Sequence, residues 1–163
     1  MSKTLKIVTL ALLAAASVAQ AQAVRSEKNM SLELANQIAA AGVAACQAGG
    51  YNVAVTVVDR AGGVRAVQRA DNAGPHTLAA SQQKAFTSAS AKNNTLAMME
   101  TAQKNPGAAN LVNIPGFLLL GGGVPVKVGN DVIGAVGIGG APAGNLDEQC
   151  ALAALDKVKD QLK

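Results

Sequence analysis

Val53-Ala54-Val55-Thr56-Val57-Val58 is a nearly unbroken β-branched run, and it constrains the fold more than any other segment. A strand with one wet face alternates apolar and polar residues, whereas a run without alternation is covered on both faces. The segment is therefore expected as a central strand with helices packed on it. Asp59-Arg60-Ala61-Gly62-Gly63 turns the chain, and Val64 to Arg69 returns as the hairpin partner.

Helical patterns flank this hairpin. Ser31 can cap a helix running to about Gly49, with Ala35, Ile38, Ala39, Gly42 and Cys46 on one buried face. Gly74 as N-cap and Pro75 as first helical residue start a second helix that reaches about Lys92. Leu78, Ala85 and Ala89 are expected inward, while Thr77, Ser81, Lys84 and Ser88 form a polar stripe. A short helix over Thr95 to Lys104 precedes the Asn105-Pro106-Gly107 break. Phe117 to Leu120, Val124 to Val128 and Val132 to Ile138 read as a three-stranded meander, turned by Gly121-Gly122-Gly123 and Gly129-Asn130-Asp131. A last helix begins near Asn145 and carries Leu146, Cys150, Ala153, Ala154 and Val158 on one side. The order α-β-β-α-α-β-β-β-α predicts an α+β (α/β) domain, with helices on a five-stranded, mainly antiparallel sheet. Ala- and Gly-rich faces let the layers approach closely but leave a thin core, which favours homo-oligomers.

Residues 1–23 stand apart. Lys3 and Lys6 precede an apolar run from Ile7 to Val18, and small residues sit before two cuts, Ala19-Gln20-Ala21 and Ala21-Gln22-Ala23. That is the pattern of a signal peptide; a membrane anchor needs about 20 apolar residues. A periplasmic or secreted domain over residues 24–163 is expected, with no stable membrane insertion after cleavage. Two of the 14 basic residues and none of the 10 acidic ones lie in the leader, so the formal charge falls from +4 to +2. With no basic cluster interleaved with aromatics, nucleic-acid binding has no support.

Cys46 and Cys150 lie on the apolar stripes of the first and last helices. In an oxidising compartment they are a candidate disulfide; the other reading is two buried, reduced cysteines acting as small hydrophobes.

The glycine-rich second half does not read as a nucleotide site. Pro142 occupies the last glycine position of a GxGxxG-like pattern, and there is no GK[ST]. No GxSxG elbow supports a serine hydrolase. The one histidine, His76, lies at a helix mouth, where the macrodipole disfavours protonation. A neutral imidazole is the metal-ligating form. Alone it cannot build a zinc site, but one histidine suffices as an axial ligand of heme. Thr77 lies beside it, and Arg69, Lys84 or Lys127 are candidates for pairing with propionates. The alternative is an ordinary solvent-facing residue at a helix start.

Several segments together resemble a known family. They are Val57-Val58-Asp59-Arg60-Ala61-Gly62-Gly63, Arg69-Ala70-Asp71-Asn72-Ala73, Lys84-Ala85-Phe86-Thr87-Ser88-Ala89 and Ile114-Pro115-Gly116. Gly121-Gly122-Gly123-Val124-Pro125-Val126, Ile133 to Gly140 and Asp147-Glu148-Gln149-Cys150-Ala151 follow in order. The series is similar to the GlcG/HbpS family of heme-binding proteins, to which the C-terminal domain of PduO-type cobalamin adenosyltransferases is related. The resemblance implies a profilin-like fold, homo-oligomers including octamers, and exported members that bind heme or a related tetrapyrrole. On that reading His76 ligates iron, Arg69 and Lys84 contact propionates, and Gly121, Gly122 and Gly123 let ligand or a partner subunit approach the backbone. Leu118, Leu119 and Leu120, or an oligomer interface, would replace the scarce aromatics as lining. The function expected is sequestration or sensing without strong catalytic chemistry, with a sensor or transporter as possible partner. The alternatives are an enzyme or accessory subunit acting on a small metabolite or corrinoid, and a structural module.

Overall fold

A computed structural model describes residues 24–163; the expected leader falls outside the described residues. Ser31 starts α1 (Leu32–Ala48) by accepting a hydrogen bond from the Leu34 N–H at 3.1 Å, which satisfies one of the free donors of the first turn. After Gly49 the chain enters β1 (Ala54–Asp59) and returns as β2 (Val64–Arg69). Then come α2 (His76–Ala91), α3 (Thr95–Lys104), the single turn α4 (Pro106–Ala109), the hairpin β3 (Gly123–Val128) and β4 (Asp131–Gly139), and α5 (Gly144–Lys157).

The four strands form one antiparallel sheet in the order β2-β1-β4-β3. β1 is interior, as its unbroken apolar run predicts, and each of its faces meets a different layer. Val53, Val55 and Val57 join Ile38, Ala39, Val136, Ile138 and Ala151 in the main core under α1 and α5. Thr56 and Val58 face α2, where Thr56 bonds Ser81 and Val58 packs with Ala85, Ala89 and Ala135. Cys46 and Cys150 form a disulfide, Cα–Cα 5.3 Å, tying α1 to α5.

The expected fifth strand, Phe117 to Leu120, is not one. Its backbone groups are taken by threonine hydroxyls: the Leu118 N–H donates to Thr87 Oγ1 at 2.8 Å, and Thr95 Oγ1 donates to the Leu120 carbonyl at 2.7 Å. With those partners satisfied by α2 and α3, no ladder forms. A short apolar run signals burial in part (Leu119 is buried, Leu120 exposed) but does not dictate strand pairing.

α2 also sits otherwise than its apolar residues suggest. Thr77, Ser81, Lys84 and Ser88 are all buried against the sheet, and Leu78 turns outward. Gly137 makes this possible, because a Cβ there would strike the Ser81 carbonyl oxygen and the Ala85 backbone nitrogen. Helix backbone therefore lies directly on β4, leaving a gap suited to short hydroxyl side chains. Each is satisfied: Thr77 Oγ1 by the Gly74 carbonyl at 2.7 Å, Ser81 Oγ by Thr56 Oγ1 at 2.8 Å, Ser88 Oγ by the Asn93 carbonyl at 2.9 Å. Buried hydroxyls without such partners would be destabilising.

Candidate functional site

The mouth of α2 gathers part of the expected set. Pro75 already has helical dihedrals ahead of His76. The exposed His76 imidazole folds back over Gly74, where a Cβ would stand 2.7 Å from Cε1 and 2.9 Å from Nδ1. Nε2 is the next nearest ring atom, at 3.9 Å. Arg69, at the end of β2, donates through its guanidinium to the Ala73 carbonyl. That bond holds the cation against the loop leading into His76. Thr77 is buried and fixes the same loop through Gly74.

Beside this mouth runs an uncovered strip. Val64 pairs with Val58, Val67 with Thr56 and Arg69 with Ala54. Paired residues share a face, so all three β2 side chains point to the α2 side. α2, however, lies over β1, β4 and β3 and leaves the β2 margin open. Val64, Val67 and Leu78 are accordingly 47%, 46% and 41% exposed. Leu78 stands at i, i+3 and i+7 spacing with Ser81 and Ala85, whose partners are on β1, so it borders the same margin. At the far end Phe86 is gripped between Gly62 and Gly116, both at positive φ, and meets Phe117 edge to face at 6.2 Å. Apolar side chains, one aromatic pair and a guanidinium thus border this margin, while the His76 imidazole stands at the α2 mouth against Gly74.

Lys84 does not belong to it. Its Nζ is enclosed, 2.7 Å from Asp147 Oδ2 and 2.9 Å from the Ile138 carbonyl, with side chains 2% and 3% exposed. Burial raises the Asp147 carboxyl above its ordinary range, and the attraction and hydrogen bond of Lys84 oppose that rise. A lysine so committed has no charge to offer a surface carboxylate. Gly121, Gly122 and Gly123 are buried too. A Cβ on Gly121 would meet the Gly144 backbone, one on Gly122 the Ile138 carbonyl and Asp147, and one on Gly123 the Thr95 side chain. They permit close packing of the chain's own interior. Lys127 lies on β3, across the sheet from β2. Leu118 is bonded to Thr87, about 16 Å along α2 from His76 at 1.5 Å per residue, so Leu118 to Leu120 do not line the mouth. Among the described residues no three His, Cys, Asp or Glu side chains cluster as a metal site, and no helix is long and apolar enough to cross a membrane.

Residues 30–156 match the family described as Haem degrading protein HbpS-like. The chain belongs to this HbpS-like family. It is 37% identical to protein GlcG of Escherichia coli over 109 residues, 67% of this chain and 80% of that protein. A crystal structure of an HbpS double mutant from Streptomyces reticuli superposes with a TM-score of 0.78 at 32% identity, covering 96% of this chain and 99% of the other. The fold also matches that of PduOC, solved as a heme complex, with a TM-score of 0.70 at 23% identity over 78% of this chain and 94% of the other.

Within this HbpS-like chain, sequence motifs do not single out two features. One is the Lys84–Asp147 pair, 63 positions apart, for which one sequence carries no signal. The other is the open strip. Its signal was the return strand itself, since Val64 and Val67 on an edge strand need cover on one side only.

Proposed function

We propose that this chain is an exported heme-binding or heme-responsive protein, with His76 as iron ligand and Arg69 beside it for a propionate. The observation that carries the reading is the exposed His76 imidazole at the α2 mouth, with Arg69 bonded to the loop that leads into it. The donor set fits: His76 offers a ring nitrogen, Arg69 a planar cation suited to a carboxylate, and Val64, Val67 and Leu78 an apolar bed for a macrocycle. Heme bound there would supply an iron centre able to take an imidazole ligand. The family description and the heme complex of PduOC support the same ligand class. The strip covers one face of a planar ligand, which favours a homo-oligomer in which a second copy covers the other.

A hemin titration of the purified protein by absorbance tests this, with His76→Ala and Arg69→Ala alongside. A saturable Soret shift is expected, altered in position by His76→Ala and weakened by Arg69→Ala without a change of position. An unchanged spectrum and affinity in His76→Ala overturns the ligand assignment. Because the family description names degradation, a second reading is turnover, which predicts loss of the Soret band when peroxide is added to the loaded protein. Cell fractionation tests export, and light scattering tests assembly.

A further inference from the structure

Lys84 and Asp147 are buried far from solvent, yet a contiguous chain of contacts joins them to the α2 mouth. Asp147 Oδ2 takes the Lys84 ammonium at 2.7 Å, and its Oδ1 accepts the Ala141 N–H at 3.0 Å. Ala141 follows Gly140, which has a φ of +136° and leaves no room for a side chain. A Cβ there would lie 2.6 Å from the Asn52 carbonyl oxygen and 3.2 Å from Thr77 Cγ2. Thr77 in turn holds the Gly74 carbonyl at 2.7 Å, and Gly74 is the floor beneath the His76 ring. One carboxylate thus anchors the loop over residues 140–143 that presses on the first turn of α2.

We propose that Asp147 and Lys84 are positioning residues for the His76 site: the ionised pair clasps the 140–143 loop against Thr77, and proton uptake by Asp147 releases it and weakens ligand binding at the mouth. The ligand half of this statement rests on the His76 reading; the clasp does not.

The surroundings make Asp147 the group that titrates. From α2 it faces Lys84, which also bonds the Ile138 carbonyl. β4 and the 140–143 loop present it with backbone groups only. On α5 itself the neighbouring Glu148 turns to Asn94, which donates to Oε1 at 2.9 Å. α1 is tied on by a disulfide, which does not titrate. Burial favours the neutral carboxyl, so the proton arrives at a higher pH than for an ordinary carboxylate. His76 is the other titratable side chain along this chain of contacts, and it is removed by substitution.

The test is an amide NMR pH titration of the His76→Ala protein, with Asp147→Asn added in a second sample. Ala141, Gly140 and Thr77 are expected to shift with one common midpoint above the ordinary carboxylate range, and Asp147→Asn should abolish the step at all three. Ala141 titrating while Thr77 stays silent would confine the effect to the loop and overturn the proposal, as would the absence of any step. Should Asp147→Asn not fold, the His76→Ala titration alone still decides it. Hemin affinity of the protein with His76 intact is then expected to fall through the same midpoint. At neutral pH Asp147→Asn should bind hemin roughly three- to tenfold more weakly, the worth of one hydrogen bond. An affinity in Asp147→Asn that matches wild type at every pH overturns the coupling. Failure of all samples to bind hemin would remove the His76 reading while the amide shifts still judge the clasp.

Discussion

Breaking the Cys46–Cys150 bridge is the sharpest perturbation of the fold. The two cysteines are 104 positions apart and close a loop spanning most of the described chain. In the chain-entropy model a loop of about 100 residues confers roughly 4.7 kcal/mol by restricting the unfolded ensemble. Cys46 is fully buried and Cys150 nearly so, so reduction leaves two thiols that remain as small hydrophobes in the same packing. The loss is then almost entirely the cross-link. Against a typical total of about 5–15 kcal/mol, that removes a third or more of the stability. At roughly 3 °C per kcal/mol for a domain of this size, the melting temperature should drop by about 10–20 °C. Urea unfolding followed by circular dichroism, with and without reductant, gives the difference, and mass spectrometry confirms each oxidation state. The variant with both Cys46→Ala and Cys150→Ala should behave as the reduced protein, less a small packing loss. A reduced protein within about 1 kcal/mol of the oxidised one would show that the unfolded chain is not restrained as the loop length requires.

Lys84→Met strands the Asp147 charge in the interior and should cost about 3–5 kcal/mol, whereas Lys84→Met with Asp147→Leu should recover much of that; urea midpoints of the two variants separate the cases. Gly137→Ala drives a methyl into the backbone of α2 and should cost about 1–3 kcal/mol or more, read as a fall in melting temperature far larger than for Ala at the solvent-facing Gly107. The raised Asp147 carboxyl has a defined sign: the folded state holds that proton more tightly than the unfolded one. Its contribution is therefore fully present below the ordinary carboxylate range and is lost as pH rises through the raised folded value. The stability gap between wild type and Asp147→Asn should widen as pH falls from neutral. A gap that narrows on acidification means that the attraction of Lys84 outweighs burial.

Local signals in the sequence were reliable where a single element decides its own fate. Ser31 announced α1, the β-branched run announced an interior strand, and the Gly129-Asn130-Asp131 turn announced the β3–β4 hairpin. They failed where a distant partner decides. Phe117 to Leu120 looks like a strand until Thr87 and Thr95 claim its backbone. The inward set of α2 departs from its apolar pattern at Leu78 because glycine on β4, not hydrophobicity on the helix, selects which face can come close. In the candidate site, the sequence singled out His76 and Arg69, which both lie against the loop over residues 73–74. It also grouped Lys84 and Gly121 to Gly123 with them, since charge and backbone access look alike whether they serve a ligand or the protein's own interior. Only the three-dimensional partner, Asp147 or Gly144, tells these apart.

The seating of α2 on Gly137 has an engineering consequence. A helix located by main chain pressed on main chain does not depend on rotamers for its position. Replacing the outward residues of α2 or the valines of β2 should therefore leave the helix axis where it is. Such a surface can be re-tailored for a different small molecule residue by residue, with each change read as a local alteration of chemistry on an unmoved support.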